Sequence, residues 1–485
     1  MADGNAPGSP ASSLQSHRYA IKSSVHNTAA SRRREQAIAI GKERREALMR
    51  AKRVCRAPLS GSDEATIEDG DMVIDEKADL ETRTAQAVEE LKSALSSQGK
   101  GAQKKKIEAL RAVRRVLSQS EVPPIQVAIK AGAVPLLVQY LSFGSSDEQL
   151  LEAAWCLTNI AAGEPEETKS VLPALPLLVA HLGEKSSTLV AEQCAWAIGN
   201  VAGEIQGPDP KAAYELINID GVLNAIIRNL EKADEELATE VAWVVVYLSA
   251  LSEKAISLIV RSHVPQLLIG RLLASENLQL LIPVLRGLGN LVAGDEYMVD
   301  SILIVGNSIT DQALSSLIKC LKSDNRVLRK EASWALSNIA AGSFEHKKLI
   351  FTSEATPSLI HLLTSAQFDI RKEAAYTLGN LCVVPAGSTE PPNIITEHLV
   401  SIINGGALPG FINLVRSADI ESARLGLQFL ELVMRGYPNG QGPQLVERGD
   451  GIEAMERFQF HENEAMRNMA NGLVDKYFGE DYGLE

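Results

Sequence analysis

Six segments of the chain share a short pattern in which a large flat side chain precedes a polar one by four residues. Four residues make about one helical turn, so the two side chains of a pair lie on one face of a helix. An asparagine amide offers one acceptor and two donors, which suits it to hold the backbone of an extended peptide. The pairs are Trp155/Asn159, Trp196/Asn200, Trp243/Tyr247, Arg286/Asn290, Trp334/Asn338 and Tyr376/Asn380.

The pattern recurs at a nearly constant distance along the chain. Successive first positions lie 41, 47, 43, 48 and 42 residues apart. A period in the forties is typical of armadillo and HEAT repeats, in which each unit contributes two or three helices. We therefore predict an all-α fold, an armadillo-repeat right-handed solenoid of about nine repeats. Stacking would bring the six pairs into one row, which we call the ladder.

The ladder has the chemistry to bind a cationic peptide. Packed helices lie about 8–10 Å apart and an extended peptide advances about 3.3 Å per residue, so one repeat faces about three peptide residues. An indole face attracts a lysine or arginine by about 0.5–2 kcal/mol. Carboxylates close to the ladder would receive the charged heads; they are Glu192, Glu204, Glu240, Glu331 and Glu373.

A structural role for the same residues has to be weighed, because a single tryptophan at helical spacing more often belongs to a core than to a ligand site. All four tryptophans of the chain occupy ladder positions, and five of the six pairs carry an asparagine. An asparagine is costly to bury without a hydrogen-bonding partner. These two facts favour a binding row over a set of unrelated core residues.

Composition narrows the class of protein. The chain is 45% hydrophobic with only 5% aromatic residues, which suits packed helices. A net charge of −13 disfavours general nucleic-acid binding and favours a cationic partner. The five cysteines form no CxxC pair, so neither a metal site nor a disulfide framework is expected. The N-terminus lacks the apolar stretch of a signal peptide, and we expect a soluble intracellular protein without cofactor or membrane contact.

Charge divides the chain into segments. Residues 1–25 are predicted to be disordered, 26–60 to form a basic segment, 61–81 an acidic linker, 82–480 the repeats and 481–485 an acidic tail. Between residues 32 and 56, ten basic residues face three glutamates, a net charge of +7, so the rest of the chain carries −20. The ten are Arg32, Arg33, Arg34, Lys42, Arg44, Arg45, Arg50, Lys52, Arg53 and Arg56.

The basic segment alone fits a nucleic-acid tail, a solvated arm or a partner-binding helix equally well. Its attachment to an acidic row favours binding to its own chain, because the tether makes that contact intramolecular. Lys52 and Arg53 are the best mimic of a bound signal, although a compact Lys-Arg-Arg cluster is missing there.

The stretch Glu192-Gln-Cys-Ala-Trp196-Ala-Ile-Gly-Asn200-Val-Ala-Gly, the basic N-terminal segment and the terminal His461-Glu-Asn-Glu…Tyr477-Phe478-Gly-Glu resemble the importin alpha family, closest to its divergent plant type numbered nine. The resemblance implies a nuclear import adaptor that binds basic localisation signals of cargo proteins. It also implies an N-terminal segment that binds importin beta and folds back onto the groove. An export receptor of the CAS type at the C-terminal repeats, and shuttling between cytoplasm and nucleus through the nuclear pore, follow from the same resemblance.

The resemblance also assigns site residues. Those matching the major signal-binding site are Trp155, Asn159, Gly163, Thr168, Glu192, Trp196, Asn200, Glu204, Glu240, Trp243 and Tyr247. Those matching the minor site are Arg286, Asn290, Val292, Gly294, Trp334, Asn338, Glu373, Tyr376 and Asn380. The ten basic residues match the importin-beta-binding and autoinhibitory segment. Tyr376 stands where the family usually has tryptophan, which predicts a smaller ring at the minor site.

One repeat is expected to be absent. The family usually has three consecutive Trp–Asn pairs before a Trp–Tyr pair, whereas here Trp196/Asn200 is followed directly by Trp243/Tyr247. The junction from Ala202 to Pro208 joins the end of one repeat to the end of another. Because repeats contact only their neighbours, loss of a whole unit leaves the others able to stack. We expect weaker binding of monopartite signals and a preference for shorter linkers in bipartite ones.

Two other classes fit less well. An armadillo scaffold of the β-catenin kind carries a basic groove for acidic partners, which the charge of −20 outside the basic arm disfavours. An enzyme would need a catalytic constellation, and the chain contains no GxxxxGK(S/T), HExxH or GxSxG motif. No catalytic residue is therefore predicted.

Overall fold

A computed structural model describes residues 72–119, 122–203, 211–305, 308–309, 311–385 and 393–479. The helices up to residue 251 are α1 (Met72–Leu95), α2 (Ala102–Val116), α3 (Ile125–Lys130), α4 (Ala133–Tyr140), α5 (Asp147–Ala161), α6 (Pro165–Lys169), α7 (Leu175–Ala180), α8 (Thr188–Ala202), α9 (Lys211–Ile217), α10 (Val222–Glu231) and α11 (Glu235–Leu251). A 3₁₀ turn, Leu172–Ala174, precedes α7.

The later helices are α12 (Glu253–Val260), α13 (Val264–Ala274), α14 (Leu278–Leu291), α15 (Glu296–Leu303), α16 (Asp311–Leu321), α17 (Arg326–Ala340), α18 (Phe344–Phe351), α19 (Ala355–Ser365), α20 (Phe368–Leu381), α21 (Asn393–Asn404), α22 (Leu408–Val415), α23 (Ile420–Gly436), α24 (Gly442–Arg448), α25 (Gly451–Glu456) and α26 (Glu464–Phe478). A second 3₁₀ turn, Pro438–Gly440, precedes α24. Two short antiparallel strands, β1 (Ile304–Val305) and β2 (Ser308–Ile309), pair Ile304 with Ile309 and Val305 with Ser308.

Within the described residues the helices fall into nine successive groups, the first with two helices and the others with three. The ladder positions lie on the third helix of six consecutive groups, α5, α8, α11, α14, α17 and α20, which we call the ladder helices. The prediction of an all-α repeat fold is thus confirmed for the described residues, which contain little extended structure besides the short strand pair.

Glycine and capping residues set the boundaries of these helices. Gly132, Gly221 and Gly406 have φ between +84° and +92° and lie at the turn before the second helix of their groups. Glycine adopts this left-handed backbone without the steric cost that other residues pay. Asp234 caps α11 by accepting a hydrogen bond from Leu237 N at 3.0 Å, and Asn325 caps α17 through Val327 N at 2.9 Å. Such caps satisfy amide groups that the first turn leaves unpaired.

The ladder helices are buried over most of their length, which explains their content of small residues. In α8, Cys194, Ala197 and Ile198 are fully buried. Among the described residues, Cys156, Cys194, Cys320 and Cys382 are free and buried. Burial raises the pKa of the Cys320 and Cys382 thiols to about 12, so these cysteines pack as small apolar residues, as the sequence predicts.

The structure forms two compact units. The N-terminal unit contains the described residues within 32–268 together with 277–287, and the C-terminal unit contains 269–276 together with the described residues from 288 onward. In the described parts of the chain no single helix has the length and hydropathy of a membrane span. Two bent pairs, α12 with α13 and α21 with α22, reach them only when each pair is taken together.

The first described helix begins ten residues before the predicted start of the repeats at residue 82. Helix α1 begins at Met72, so the final ten residues of the segment expected to be an acidic linker, 72–81, are helical. The apolar residues Val73, Ile74 and Leu80 continue a helical spacing into this acidic stretch, which the charge pattern obscures. The predicted segments 1–25, 26–60 and 481–485 lie outside the described residues.

Candidate peptide-binding site

Neighbouring ladder helices pack against each other within each unit. In the N-terminal unit α2 packs on α5, α5 on α8 and α8 on α11; in the C-terminal unit α17 packs on α20. The pairs Trp155/Asn159, Trp196/Asn200 and Trp243/Tyr247 therefore lie on successive helices of one unit. Trp334/Asn338 and Tyr376/Asn380 do the same in the other.

The ladder asparagines link each repeat to the one before it. Asn200 Nδ2 donates to Thr158 O at 3.2 Å, and Asn380 Nδ2 donates to Ser337 O at 3.0 Å. Asn338 Nδ2 makes the corresponding contact with Gly289 O at 3.4 Å. In all three cases the acceptor immediately precedes the asparagine of the previous ladder helix.

This use of the carboxamide leaves only part of it for a ligand. Each of these asparagines uses one N–H of its two to bond within the fold. In the part of the chain that the structure describes, the Oδ1 atoms of Asn159, Asn200, Asn338 and Asn380 accept no hydrogen bond. An acceptor and one donor remain on each of these four asparagines, which is enough to pair with one peptide unit.

The aromatic side chains of the ladder are more buried than we expect of rings whose faces bind a ligand. Trp155, Trp196, Trp243 and Tyr376 are between 3% and 7% exposed, and Trp334 is half-buried. Residues of adjacent helices cover part of these rings. A Cβ on Gly289 of α14 would lie 2.6 Å from the Trp334 ring, so that indole rests against a neighbouring backbone. Trp243 stacks on Tyr247 with ring centroids 6.1 Å apart.

An arginine already lies on the first indole. The Arg114 guanidinium is 4.4 Å from the centroid of the Trp155 ring. Arg114 Nε also donates to Glu152 Oε2 at 2.5 Å, and Arg111 Nε is 3.3 Å from Glu152 Oε1. A cation held between an indole and a carboxylate is the contact that the sequence predicts for a bound basic peptide.

The glutamate of this contact belongs to a column. Glu152, Glu240, Glu331 and Glu373 each precede a ladder aromatic residue by three positions, which places them on the same helix face. Glu331 and Glu373 are buried, and Glu240 is half-buried. Glu192, which is also half-buried, precedes its tryptophan by four positions instead. Glu204 lies outside the described residues.

Tyr376, the last aromatic residue of the ladder, is hydrogen-bonded to the repeat that follows it. Tyr376 Oη donates to Glu421 Oε1 at 2.5 Å, a contact that the tryptophan usual at this position has no hydroxyl to make. Lys372 Nζ lies 2.8 Å from both Glu421 Oε2 and Asp419 Oδ2. The tyrosine ring, which is smaller than the usual tryptophan, is thus held by contacts with charged residues at the start of α23.

The loop residues assigned to the two sites have structural partners. Thr168 is buried and its hydroxyl donates to Ala161 O at 3.1 Å. A Cβ on Gly163 would collide with the Glu167 carboxylate, and one on Gly294 would lie 2.5 Å from Met298 Sδ. Val292 is buried. These residues shape the turns that follow the ladder helices, and only their backbone groups remain as candidate contacts.

The structure also identifies partners that sequence reasoning missed. Glu152 could have been found, because it shares the three-residue spacing of the other glutamates. Arg114, Ser118 and Glu421 could not, because each lies 38 to 45 residues from the ladder residue or glutamate it contacts. The family resemblance places Arg286 in the minor site, yet its guanidinium lies 5.9 Å from the ring of Trp243, which the resemblance places in the major site.

The expected missing repeat agrees with the packing around Tyr247. A Cβ on Gly203 of the turn after α8 would lie 3.1 Å from the Tyr247 ring. The helix that carries Trp196 is therefore the direct neighbour of the helix that carries Trp243, with no further ladder helix between them.

Comparisons with known proteins bear on the fold first. The armadillo/beta-catenin-like repeat matches residues 122–162, 309–341 and 343–383, and a HEAT-like repeat matches residues 147–201. The crystal structure of an engineered protein, 24% identical, superposes with a TM-score of 0.68 over 84% of this chain and 95% of its own. These similarities concern the fold alone.

Two relatives match over almost their whole length. Importin subunit alpha-9 of Arabidopsis thaliana is 58% identical, over 98% of this chain and 99% of its own. Importin subunit alpha-2 of Oryza sativa subsp. japonica is 77% identical over the full length of both chains. That alignment spans 527 positions against the 485 residues of this chain, so at least 42 positions have no counterpart here, about one repeat. With such identity along its entire length, the chain belongs to the importin alpha family.

Proposed function

We propose that this nuclear import adaptor binds the Lys/Arg-rich localisation signals of its cargo as extended peptides along the ladder. Its family membership supports the function, and the ladder offers the groups that such peptides need. Backbone units would pair with the asparagine carboxamides. Lysine and arginine side chains would lie between aromatic rungs, with their charges directed to the glutamate column.

The observation that carries this proposal is the Arg114–Trp155–Glu152 contact. It is an example, within the chain, of a basic side chain bound by an indole and by the glutamate three residues earlier. Trp243 with Glu240 and Trp334 with Glu331 repeat the same spacing. The spacing of an indole and a carboxylate that binds Arg114 thus recurs on two further ladder helices.

Charge supports the same partner. Outside the basic segment the chain carries −20, a field that attracts cationic peptides and speeds their association. Because exposed charges are screened over about 8 Å at physiological ionic strength, binding should weaken as salt rises. A neutral peptide of equal length should bind weakly at every salt concentration.

The test is a titration of the full-length chain with a fluorescent lysine-rich signal peptide. Trp196→Ala and Trp334→Ala should each weaken binding about tenfold or more, since each removes a cation–π partner together with its packing. Tyr297→Ala serves as the matched control, because Tyr297 is an exposed aromatic residue of α15 away from the ladder. Equal affinities for the two tryptophan variants and the wild-type chain would contradict the proposal.

The basic segment, residues 26–60, is proposed to bind importin beta and, without cargo, to compete for the ladder. Its charge of +7 between residues 32 and 56 complements the rest of the chain, and the tether raises its effective concentration. Lys52→Ala with Arg53→Ala should increase the affinity for signal peptide in the full-length chain. An unchanged affinity would exclude autoinhibition through these two residues.

The remaining partners follow from the same function. We propose that the chain shuttles between cytoplasm and nucleus, and that an export receptor binds the C-terminal repeats. The chain would act only by binding, as an adaptor without a catalytic step. Co-precipitation with importin beta and with an export receptor, before and after truncation at residue 60 or 440, would test these contacts separately.

A further inference from the structure

Lys372 of α20 is paired with carboxylates of the repeat that follows. Its ammonium lies 2.8 Å from both Asp419 Oδ2 and Glu421 Oε2 at the start of α23. Glu421 also accepts the hydrogen bond of the Tyr376 hydroxyl at 2.5 Å. Between α20 and α23, a glutamate of the later helix therefore binds a lysine of the earlier one together with the ladder residue one turn beyond it.

Between α17 and α20 an arginine replaces that glutamate. Helix α17 packs on α20 as α20 packs on α23. Both α17 and α20 contain the sequence Arg-Lys-Glu-Ala, so Lys330 corresponds to Lys372. The start of α20 reads Asp-Ile-Arg where the start of α23 reads Asp-Ile-Glu, so Arg371 corresponds to Glu421. The two positions that hold opposite charges in the later pair of helices thus hold like charges in the earlier pair, and like charges repel.

Three half-buried cations at this place have no direct anionic partner. They are Arg329, Lys330 and Arg371, which we call the cation cluster, and their side chains make no hydrogen bond or ion pair with another described residue. The Nε atoms of Arg329 and Arg371 are buried without an acceptor, although buried N–H groups in proteins are nearly always hydrogen-bonded. The Arg371 guanidinium contacts only the Phe368 ring among the described side chains with which it could interact, at 5.8 Å from the ring centroid. These groups retain the donors that a carboxylate would bind.

The acidic residues nearest in sequence do not pair with the cation cluster. Asp369 Oδ2 lies 3.0 Å from Arg326 Nη2 instead. Glu331 and Glu373 are buried, and no ion pair joins either of them to the cluster in the described part of the chain. Three positive charges that lie together in this way favour an anion supplied from outside the chain.

We propose that the cation cluster binds one carboxylate side chain of the peptide that lies along the ladder. An aspartate or glutamate of the ligand would take between Lys330 and Arg371 the place that Glu421 takes in the next repeat, and a guanidinium binds a carboxylate through two parallel hydrogen bonds. Lys330 precedes Trp334 by four residues and so shares its face of α17, which places the cluster next to the ladder. This inference rests on the proposed function and adds that the ligand carries an acidic residue beside its basic ones.

The test is a titration of the full-length chain with a lysine-rich signal peptide in which a single glutamate is moved from one position to the next. Each peptide is compared with its glutamine counterpart. At the position that reaches the cluster, glutamate should lower the dissociation constant about threefold or more relative to glutamine. At the other positions glutamate should weaken binding, because it reduces the positive charge that the acidic chain attracts. In Lys330→Gln and in Arg371→Gln the advantage of glutamate should disappear.

Arg435→Gln is the matched control. Arg435 is an exposed arginine in the last turn of α23, so its loss makes the same change in net charge without altering the cluster. The advantage of glutamate at the favoured position should persist in this variant. If Arg435→Gln removes the advantage as well, the effect belongs to net charge and the inference is wrong.

Arg371→Glu supplies the carboxylate from the chain itself. It places opposite Lys330 the residue that Lys372 has opposite it in the next repeat, so the melting temperature should exceed that of Arg371→Gln. Glutamate peptides should then lose their advantage, because the site is already neutralised. Adding Lys330→Gln to Arg371→Glu should remove the gain in melting temperature. This measurement uses no peptide and therefore does not depend on the proposed function.

The outcomes separate the inference from the function. If lysine-rich peptides bind but no position favours glutamate, or if the advantage survives in Lys330→Gln and Arg371→Gln, the inference is wrong and the proposed function stands. An Arg371→Glu variant no more stable than Arg371→Gln would overturn the inference in the same way. If no lysine-rich peptide binds the chain, both are wrong. A peptide of glutamates alone that binds as tightly as the lysine-rich one would assign the cluster to a separate acidic partner and would also overturn the inference.

Discussion

Asn380 Nδ2 donates a 3.0 Å hydrogen bond to the carbonyl oxygen of Ser337, the residue that precedes Asn338. The asparagine that would hold the ligand therefore also joins its helix to the preceding ladder helix. Asn200 makes the equivalent bond to Thr158 in the other unit. If the peptide binds as proposed, the same carboxamides would join the repeats and hold the ligand.

This double role predicts that Asn380→Ala lowers stability as well as affinity. The substitution removes a hydrogen bond to a buried carbonyl, with an expected loss of about 1 kcal/mol in the free energy of unfolding. Chemical denaturation and peptide titration of one preparation would measure both effects. Asn200→Ala should reproduce them in the other unit. A large loss of affinity with unchanged stability would show that the bond to Ser337 contributes nothing to the fold.

A second prediction concerns the hydroxyl of Tyr376, which donates to Glu421 at 2.5 Å. Tyr376→Phe keeps the ring but loses a hydrogen bond to a carboxylate, with an expected cost of about 1.5–3 kcal/mol. Hydrogen exchange should then increase in α20 and α23. Tyr437→Phe is the matched control, because its hydroxyl donates at 3.2 Å to the neutral Asn404 side chain in an exposed position. Similar effects of the two variants would mean that the hydrogen bond to Glu421 contributes no more to stability than the one to Asn404.

A third prediction follows from Asp419, which joins Lys372 to the start of α23. Burial raises the pKa of this carboxyl, but hydrogen bonds from Lys372 and Ser422 outweigh burial and hold the pKa below its usual 3.8. A lowered pKa in the folded state means that the stabilisation is present above pH 3.8 and is lost as the pH falls through the folded value.

Asp419→Asn tests this assignment, because asparagine can still cap the helix but carries no charge. Its melting temperature should lie below that of the wild type at pH 7, and the two should converge as the pH approaches 3. The difference should stay small, within about 1 kcal/mol, since the Asp419 side chain is 39% exposed and the ion pair is partly screened. A difference independent of pH would assign the effect to packing instead of charge.

The class of fold and the positions of the ladder follow from the sequence because both depend on local periodicity. Pairs such as Trp196 and Asn200 lie one helical turn apart, and repetition along the chain identifies the face they share. Contacts between repeats depend on packing that no local pattern contains. Neither the stacking of Arg114 on Trp155, 41 residues away, nor the bond from Asn380 to Ser337 could be read from the spacing.

The main difference between prediction and structure is the burial of the aromatic rings of the ladder. It too results from packing between repeats, which no local pattern contains. A ladder tryptophan has the same helical spacing whether its ring faces solvent or a neighbouring repeat. Gly289 illustrates the point, because its missing side chain lets the Trp334 ring approach the backbone. Only the three-dimensional packing distinguishes an open ring from a covered one.

The last prediction concerns the missing repeat. Because the helix carrying Trp196 neighbours the helix carrying Trp243 directly, this chain has one Trp–Asn pair fewer in that row than the family pattern. A monopartite signal peptide should therefore bind more weakly to this chain than to importin subunit alpha-2 of rice, whose alignment contains at least 42 further positions. Loss of one indole and one carboxamide contact predicts a difference of about tenfold or more.

Side-by-side anisotropy titrations at one salt concentration would measure this difference in affinity. A bipartite series of varied linker length would test the expected preference for shorter linkers. Equal monopartite affinities for the two proteins would show that the absent pair contributes nothing to binding of the signal.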